Sequence, residues 1–541
     1  MDNTDQKRYF LFYVLIILAA FILRFIGLGS AALSENEARL ALQSLSAIKG
    51  DPDFQIQQPL YVFVTSVNFF FFGANEFTAR VFPAIMGFLL VFLPMLFQQK
   101  IGFHKTALLT FFVAIDPVGI AWSKTADSVI IVICLLFFAM AAFYQKRITP
   151  GIILLALAMT GGERFWPAAL AMMVCLLIYL VFSHRKTFPD SIKDSISVKN
   201  LILLAVSFLL FSIGFFRFPQ GLNAIGEGIL SGFSANTTSA PEVVGLIPVL
   251  MGCIFYFGFM LLLLLLKFIQ SLRSKQFSAI IPLLILLTFA LLLELFRQGI
   301  LLLAWISLPL SILSADILID LSGKIRIEKN IYSLLAIIIL PCLYCFLIFR
   351  ISELLQLGDL SLPVSFQWNQ QWITISLTRF QGYLIIIGIC LIIFGIFFPY
   401  LLNYFSPKKI WSSFSFGFLI IWFCSVVANS WSAAGFRYNQ EDFSREKIYN
   451  RHELALGAQT NQINSLAVDL IHEIGLKESG FIEGANGLIL NVDEPMLIWE
   501  LRNNPSIQFA DSLNPQTERS SYVITTDGVP DDLKKDFIGM P

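Results

Sequence analysis

Residues 33–40 read LSENEARL and follow directly after the first long apolar run of the chain. Glu35 and Glu37 place two carboxylates close together at that position. Both lie near the start of a predicted helix, and the helix dipole favours their ionised forms there. Two ionised carboxylates beside an apolar run are candidates for acid–base chemistry at a membrane surface.

The composition shows that most of the chain faces lipid. Of its 541 residues, 57% are hydrophobic and 14% are charged, and the mean hydropathy is +0.74. Soluble proteins carry about 25% charged residues. The net charge is +0, so no basic field indicates nucleic acid as a partner. All seven cysteines lie in apolar runs, which argues against a disulfide or metal framework.

The apolar runs predict an all-α polytopic membrane protein. A bilayer core needs about 20 apolar residues per helix, and about 13 runs meet that criterion. The polar start and the lack of a small-residue cleavage site indicate that the first run is a retained span, not a signal peptide. The predicted spans are 10–29, 80–98, 105–122, 128–145, 149–162, 165–183, 200–217, 243–267, 278–295, 298–319, 331–350, 380–403 and 410–430.

Lysine and arginine collect in every second loop between these runs. The positive-inside rule makes those loops cytoplasmic. The N-terminus is therefore predicted to be cytoplasmic, in an inner or plasma membrane. The first outer loop (30–79), the loops 218–242 and 351–379 and the tail after residue 430 are predicted to lie outside.

The outer segments have predicted structure of their own. In the first outer loop, an apolar stripe predicts a helix over 38–48, and the apolar segment 60–72 is too short to span and is predicted to lie at the interface. Residues 1–430 are predicted to form the membrane domain and 431–541 a small soluble α/β domain. Its predicted elements are helices near 463–474 and 496–503 and strands near 488–492, 507–510 and 522–525.

Four motifs in chain order resemble the GT-C superfamily of polytopic glycosyltransferases, especially the branch of protein O-mannosyltransferases and lipid A aminoarabinose transferases. The first is ENEARLAL at 35–42, an acidic pair that runs into a helix with an arginine. The second is PLY at 59–61 followed by FGANEFTAR at 72–80. The third is SKTAD at 123–127, and the fourth is the GGER turn at 161–164, which splits an apolar stretch into two short halves.

This resemblance implies that the protein transfers a sugar from a polyprenyl-phosphate donor to a lipid, glycan or protein acceptor at the outer leaflet. An inverting displacement needs a carboxylate that takes the acceptor proton, and the donor phosphate needs cations. The implied catalytic residues are Glu35, Glu37 and Asp127. The implied donor phosphate-binding residues are Arg39, Lys124, Arg164 and Arg297. No cofactor is implied, and a divalent metal is not favoured.

Each of these residues also has a structural interpretation. Ser34 and Glu37 have the spacing of a capping box, and Asp127 is placed to cap the next span. In the structural interpretation, Glu163 and Arg164 form an internal ion pair. The long side chain of Arg297 then extends along apolar surface so that its charge reaches the membrane interface. Glu35 has the weakest structural alternative and is therefore the predicted base.

Two other functions fit the same sequence. A transporter or lipid flippase also has many spans with polar breaks. The third interpretation is a catalytically inactive relative that acts as a binding subunit. It rests on departures from the GT-C pattern: the acidic pair lacks its usual Asp, Gln57 and Gln58 stand before Pro59, and Arg164 replaces a lysine.

Overall fold

The computed structural model describes most of the N-terminal half of the chain and selected elements of the rest. The described residues are 3–50, 56–182, 197–217, 219, 221–233, 246–273, 280–296, 301–322, 361–368, 371–378, 407–434, 487–490, 494–503, 507–510 and 522–525, with the single residues 342, 385, 388, 389, 392 and 471.

Helices dominate this part of the chain. They are α1 (Asn3–Phe25), α2 (Glu35–Lys49), α3 (Pro59–Phe72), α4 (Glu76–Leu90), α5 (Gln98–Ile101), α6 (Phe103–Ile115), α7 (Pro117–Ser123), α8 (Val129–Tyr144), α9 (Ile148–Met159), α10 (Trp166–Phe182), α11 (Val198–Ser212), α12 (Gly221–Phe233), α13 (Leu246–Arg273), α14 (Ile281–Leu295), α15 (Leu301–Ser322), α16 (Pro407–Ala433) and α17 (Pro495–Leu501). Short 3-10 turns cover Leu93–Phe97 and Gly162–Arg164.

Four helices of the described part are long and apolar enough to cross a membrane: Glu76–Ile101, Gly162–Leu180, Tyr256–Arg273 and Leu301–Ile319. The bent pair α6 and α7 raises this number to five. Every predicted span outside 331–350 and 380–403 coincides with a helix, whereas those two lie almost wholly outside the described residues. Membrane-capable helices are thus confirmed, and the count of about 13 spans stays a prediction.

One predicted span is broken rather than straight. Helices α6 and α7 meet at 54°, and Pro117 opens α7 without an amide hydrogen to donate. Asp116 caps α7 by accepting from the backbone amides of Val118 and Gly119. Arg24 of α1 donates to the Val113 and Ala114 carbonyls at the end of α6. The break is tolerated because these side chains form hydrogen bonds with backbone groups that would otherwise have no partner in lipid.

The first outer loop forms two helices that pack on each other. Helix α2 begins with Ser34 in a capping box with Glu37 and ends at Gly50, whose φ is 78°. Pro59 begins α3, where its missing amide costs no hydrogen bond. The predicted helix 38–48 and the apolar segment 60–72 both exist, and each is a little longer than expected.

Two small sheets complete the described elements. Strands β1 (Ser361–Trp368) and β2 (Gln371–Thr378) form an antiparallel hairpin in the loop 351–379, for which no strands were predicted. Strands β3 (Gly487–Leu490), β4 (Ile507–Ala510) and β5 (Tyr522–Thr525) form a parallel sheet in the order β4-β3-β5. These three strands and α17 match the predicted positions, whereas the helix expected near 463–474 lies outside the described residues except for residue 471. The domain boundary at residue 430 stays a prediction.

Candidate active site at the outer ends of the helices

Glu37 and Arg80 form an ion pair that is buried between α2 and α4. Their side chains are 1% and 2% exposed. The Arg80 Nε donates to Glu37 Oε1 at 3.0 Å, and Nη2 donates to Oε2 at 2.9 Å. Because both guanidinium contacts are made at once, the pair sets the orientation of the two helices as well as their distance.

The remaining lone pairs of Glu37 are also occupied. Oε1 accepts from the backbone amide of Ala126 at 2.8 Å. Oε2 accepts from the backbone amide and the hydroxyl of Ser34 at 2.9 Å and 3.0 Å. Glu37 therefore joins α2 to the segment before α8, and a carboxylate with this many donors is a poor proton acceptor.

Arg80 also binds the backbone that enters the first outer loop. Nη1 donates to the carbonyls of Leu28 and Ala31 at 3.3 Å and 2.6 Å, and Nη2 donates to Ala32 at 2.9 Å. Together with the bonds to Glu37, these contacts use all five donors of the guanidinium. Arg80 thus fixes the path of the chain between α1 and α2.

A second ion-pair group lies one residue beyond the Ala126 contact. Arg164 Nη2 is 3.1 Å from Asp127 Oδ2 and 3.3 Å from Glu163 Oε1. Asp127 Oδ1 also accepts from the backbone amide of Val129 at 3.0 Å, which caps the start of α8. The side chains of Asp127 and Arg164 are 6% and 10% exposed. The GGER turn and the SKTAD segment, far apart in sequence, therefore meet.

The segment QQPLY at 57–61 closes the group from a third side. The amide of Ser128 donates to Gln58 Oε1 at 2.8 Å, and the Ser128 hydroxyl donates to the Gly161 carbonyl at 3.0 Å. The Tyr61 hydroxyl donates to the Ala79 carbonyl at 2.8 Å, which ties α3 to α4 beside Arg80. We call Glu37, Arg80, Asp127, Glu163 and Arg164 the outer cluster, after the side of the membrane that the sequence predicts for them. Residues from all four sequence motifs contribute to it.

Glu35 lies on a different face of α2. Two residues advance a helix by about 200°, so a side chain at position 35 points almost opposite to one at position 37. The Glu35 side chain is 51% exposed, and its Oε1 accepts from Arg39 Nη2 at 2.8 Å. The acidic pair thus divides into a buried Glu37 and an accessible Glu35 that pairs with Arg39.

Lys124 donates hydrogen bonds to backbone carbonyls that directly follow two other helices. Its ammonium donates to the Ile26 carbonyl at 2.6 Å, just beyond α1, and to the Ala434 carbonyl, just beyond α16. Burial, with a smaller contribution from the nearby Arg80 guanidinium, lowers the pKa of Lys124 to about 8. The fourth predicted cation, Arg297, lies outside the described residues.

The fold was compared with those of known proteins. ArnT of Cupriavidus metallidurans, bound to undecaprenyl phosphate, superposes with a TM-score of 0.51 at 12% identity, over 93% of this chain and 86% of that one. The apo structure of the same protein gives a TM-score of 0.50 at 12% identity over the same shares. The chain has the GT-C fold.

A more distant likeness involves a longer protein. The oligosaccharyltransferase AglB of Archaeoglobus fulgidus, in complex with an inhibitory peptide and a dolichol-phosphate, gives a TM-score of 0.41 at 13% identity, over 95% of this chain and 65% of that one. No family model matches the sequence, and no curated protein matches it.

Within the GT-C fold, Arg80 and Gln58 are buried residues of the site that were not predicted as site residues. Arg80 stood in the second motif without an assigned role, although an arginine at the start of an apolar span signals a functional or paired group. Gln58, 1% exposed, was seen only as a departure from the GT-C pattern. Its side-chain amide is the acceptor that holds Ser128 in place.

A metal site is not apparent in the described part of the chain. There, no group of three or more histidine, cysteine, aspartate or glutamate side chains could hold a metal ion. The preference for a metal-independent reaction stays a prediction.

Proposed function

We propose that this GT-C protein transfers a sugar from a polyprenyl-phosphate donor to an acceptor at the outer face of the membrane. The outer cluster supports this most strongly, because it brings the four motifs together at one end of the helices. The donor class is inferred from the solved ArnT, which is bound to undecaprenyl phosphate. A donor anchored in the bilayer also accounts for a catalyst built from membrane helices.

We assign to Glu35 the role of the general base that takes the proton from the acceptor. A general base must reach the acceptor, and among the acidic residues proposed for the site Glu35 has the exposed carboxylate. It lies in the first turn of α2, at the end of the helix where the dipole attracts a negatively charged side chain. Asp127 is the second choice, since it is nearly buried and its charge is already paired with Arg164. Glu37 has a structural role in this scheme.

We assign the donor phosphate to Arg39, Lys124 and Arg164, with Arg297 as a further candidate. Arg164 uses Nε and Nη2 on Asp127 and Glu163, and its Nη1 makes no hydrogen bond with the described residues. Lys124 spends two of its three donors on backbone carbonyls. Arg164 and Lys124 can therefore each donate to a phosphate oxygen without first breaking all their present contacts.

A non-catalytic binding role is the second candidate. The buried carboxylates of the outer cluster are paired with arginines, and Asn36, an amide, directly precedes Glu37. In the GT-C pattern an Asp begins the acidic pair, and an amide cannot take a proton in its place. A protein of this kind binds the polyprenyl phosphate but transfers nothing.

The decisive experiment measures binding and transfer separately on the purified full-length protein in lipid nanodiscs. A radiolabelled polyprenyl-phosphate sugar is supplied with a membrane extract as the source of acceptor. Transfer that is lost in Glu35→Gln, while binding of polyprenyl phosphate remains, supports the assigned base. Loss of sugar transfer in Asp127→Asn but not in Glu35→Gln would assign the role of general base to Asp127. A parallel reaction with EDTA tests the metal-independent mechanism.

Other outcomes select the alternatives. Binding without transfer in the wild-type protein favours the inactive relative. Movement of the labelled lipid between leaflets of a proteoliposome, without sugar transfer, favours the flippase. Transfer that survives in both Glu35→Gln and Asp127→Asn contradicts the acid–base scheme.

A further inference from the structure

The helix α17, near the C-terminal end of the chain, packs on the first outer loop. Trp499 is fully buried there, and its ring lies 5.8 Å from the ring of Phe69 at the end of α3. Met496 and Trp499 belong to the same hydrophobic core as the buried face of α2. A tryptophan that buries its whole ring makes a strong anchor for such a contact.

Polar contacts specify how α17 sits on this surface. The Trp499 Nε1 donates to Glu76 Oε1 at 2.9 Å. Arg502, just after α17, donates from Nη2 to the Ala74 carbonyl at 2.8 Å. Its guanidinium also lies 3.6 Å from the centre of the Trp499 ring, a cation–π contact that keeps the ring in place.

Glu76 connects this contact to the outer cluster. It opens α4 one turn before Arg80, so the two side chains lie on the same face of the helix, and the Glu76 charge acts on Arg80. Arg80 holds Glu37, and Glu37 holds the amide of Ala126, next to Asp127. The path from Trp499 to Asp127 therefore consists of hydrogen bonds, one pair of side chains four positions apart on α4 (Glu76 and Arg80) and the peptide bond between Ala126 and Asp127.

We propose that α17 and its sheet, here called the C-terminal unit, position the outer cluster, with Trp499 as the positioning residue. The contact holds the start of α4 and the exposed end of α3, and through Arg80 it holds the loop that carries Glu37. The C-terminal unit is then a part of the site rather than a tethered appendage. The proposed effect of this contact on catalysis rests on the proposed transferase function. The proposed effect on the structure of the outer cluster does not.

The first test follows amide hydrogen exchange in the full-length protein in nanodiscs. Trp499→Phe keeps the ring packing and removes the donor to Glu76. We expect exchange to rise about tenfold in the first turns of α2 and α4 and over residues 126–128, since a hydrogen bond to a charged group is lost. Trp499→Ala should produce a larger increase over the same segments.

Trp422→Phe is the matched control, because Trp422 lies on α16 and its Nε1 makes no hydrogen bond with the described residues. It should leave exchange in all these segments unchanged. If Trp499→Ala raises exchange only within α17 and its sheet, the C-terminal unit is merely attached to the outer loop and the proposal is overturned.

A kinetic test separates positioning from simple loss of structure. For a positioning role, Trp499→Phe should lower kcat several-fold, because α2 carries the assigned base Glu35. The affinity for polyprenyl phosphate should change less, because Arg164 is the one assigned phosphate ligand that belongs to the outer cluster. A fall in donor affinity with kcat unchanged contradicts that role. If the wild-type protein transfers no sugar, the transferase proposal fails, yet the exchange result still decides whether the C-terminal unit controls the outer cluster.

Discussion

Two carboxylates only two positions apart have opposite environments in this protein. Glu37 is buried with Arg80 and accepts hydrogen bonds on both oxygens, whereas Glu35 is half exposed and pairs with Arg39 four positions later. Helical geometry separates them, because side chains two residues apart point in nearly opposite directions. The sequence places the two carboxylates close together, and the structure buries one of them between α2 and α4.

This difference predicts unequal effects on stability. Glu37→Gln leaves Arg80 buried without its counter-charge and should lower the free energy of unfolding by about 3–5 kcal/mol. Glu35→Gln removes a surface pair within one helix and should cost less than about 0.5 kcal/mol. Thermal unfolding of both variants in the same detergent measures the difference. Equal midpoints would contradict the structural role assigned to Glu37.

The lowered pKa of Lys124 predicts that binding of the donor phosphate depends on pH. Its pKa is lowered to about 8 in the free protein, and a bound phosphate raises it again because the anion favours the ammonium form. Affinity for polyprenyl phosphate should therefore be full below pH 8 or so and fall as the pH rises through about 8. Binding isotherms between about pH 7 and about pH 9.5 measure this change.

Lys124→Arg provides the control for that experiment, since arginine stays charged throughout this range. Its affinity should not fall in the same window. A wild-type protein whose affinity is flat across the window does not use Lys124 as a phosphate ligand.

At the scale of single elements, the GGER turn between α9 and α10 depends on a glycine. Gly162 has a φ of +66°, and an added Cβ would lie 2.3 Å from the Gln57 carbonyl oxygen. The close approach lets the first outer loop reach the turn, so that Gln58 and Gly161 both bind Ser128. The sequence pattern shows that a turn is present, whereas its contact with residue 57 requires the tertiary structure.

Gly162→Ala is therefore expected to destabilise the protein. The left-handed conformation alone costs about 1–2 kcal/mol for a residue with a Cβ, and the contact with the backbone of Gln57 adds to it. Gly226→Ala, in α12 with open space around the added Cβ, should be neutral or stabilise by up to about 1 kcal/mol. Unfolding midpoints compare the two, and an undisturbed Gly162→Ala variant contradicts the observed turn geometry.

Most elements of the described chain were predictable because their signals are local. Long apolar runs, the capping box at Ser34 and the strand positions near the C-terminal end all agree with the structure to within a few residues. The hairpin β1–β2 was missed, although Leu362, Val364, Phe366 and Trp368 alternate with polar or small residues as a strand requires. The interpretation of that segment as a connecting loop obscured this signal.

At the scale of the whole molecule, the positive-inside rule predicts that the outer cluster faces the extracytoplasmic side of the membrane. Glu35→Cys should react with a membrane-impermeant maleimide added to intact cells. Lys100→Cys, on the predicted cytoplasmic side and also exposed, should react only after the membrane is permeabilised. The unmodified protein provides the background from its own cysteines. The reverse labelling pattern would invert the topology and move the site to the cytoplasm.

The sequence by itself determined the class of this protein and the order of its motifs. In lipid the backbone must satisfy its own hydrogen bonds, so membrane spans are long apolar helices and polar segments stand out between them. Only the tertiary structure decided which charges meet. Glu37 finds Arg80 43 positions later, Asp127 finds Arg164 37 positions later, and Glu76 meets Trp499 across 423 positions. Local periodicity cannot report such pairings, since they depend on how the helices pack and not on the composition of any one of them.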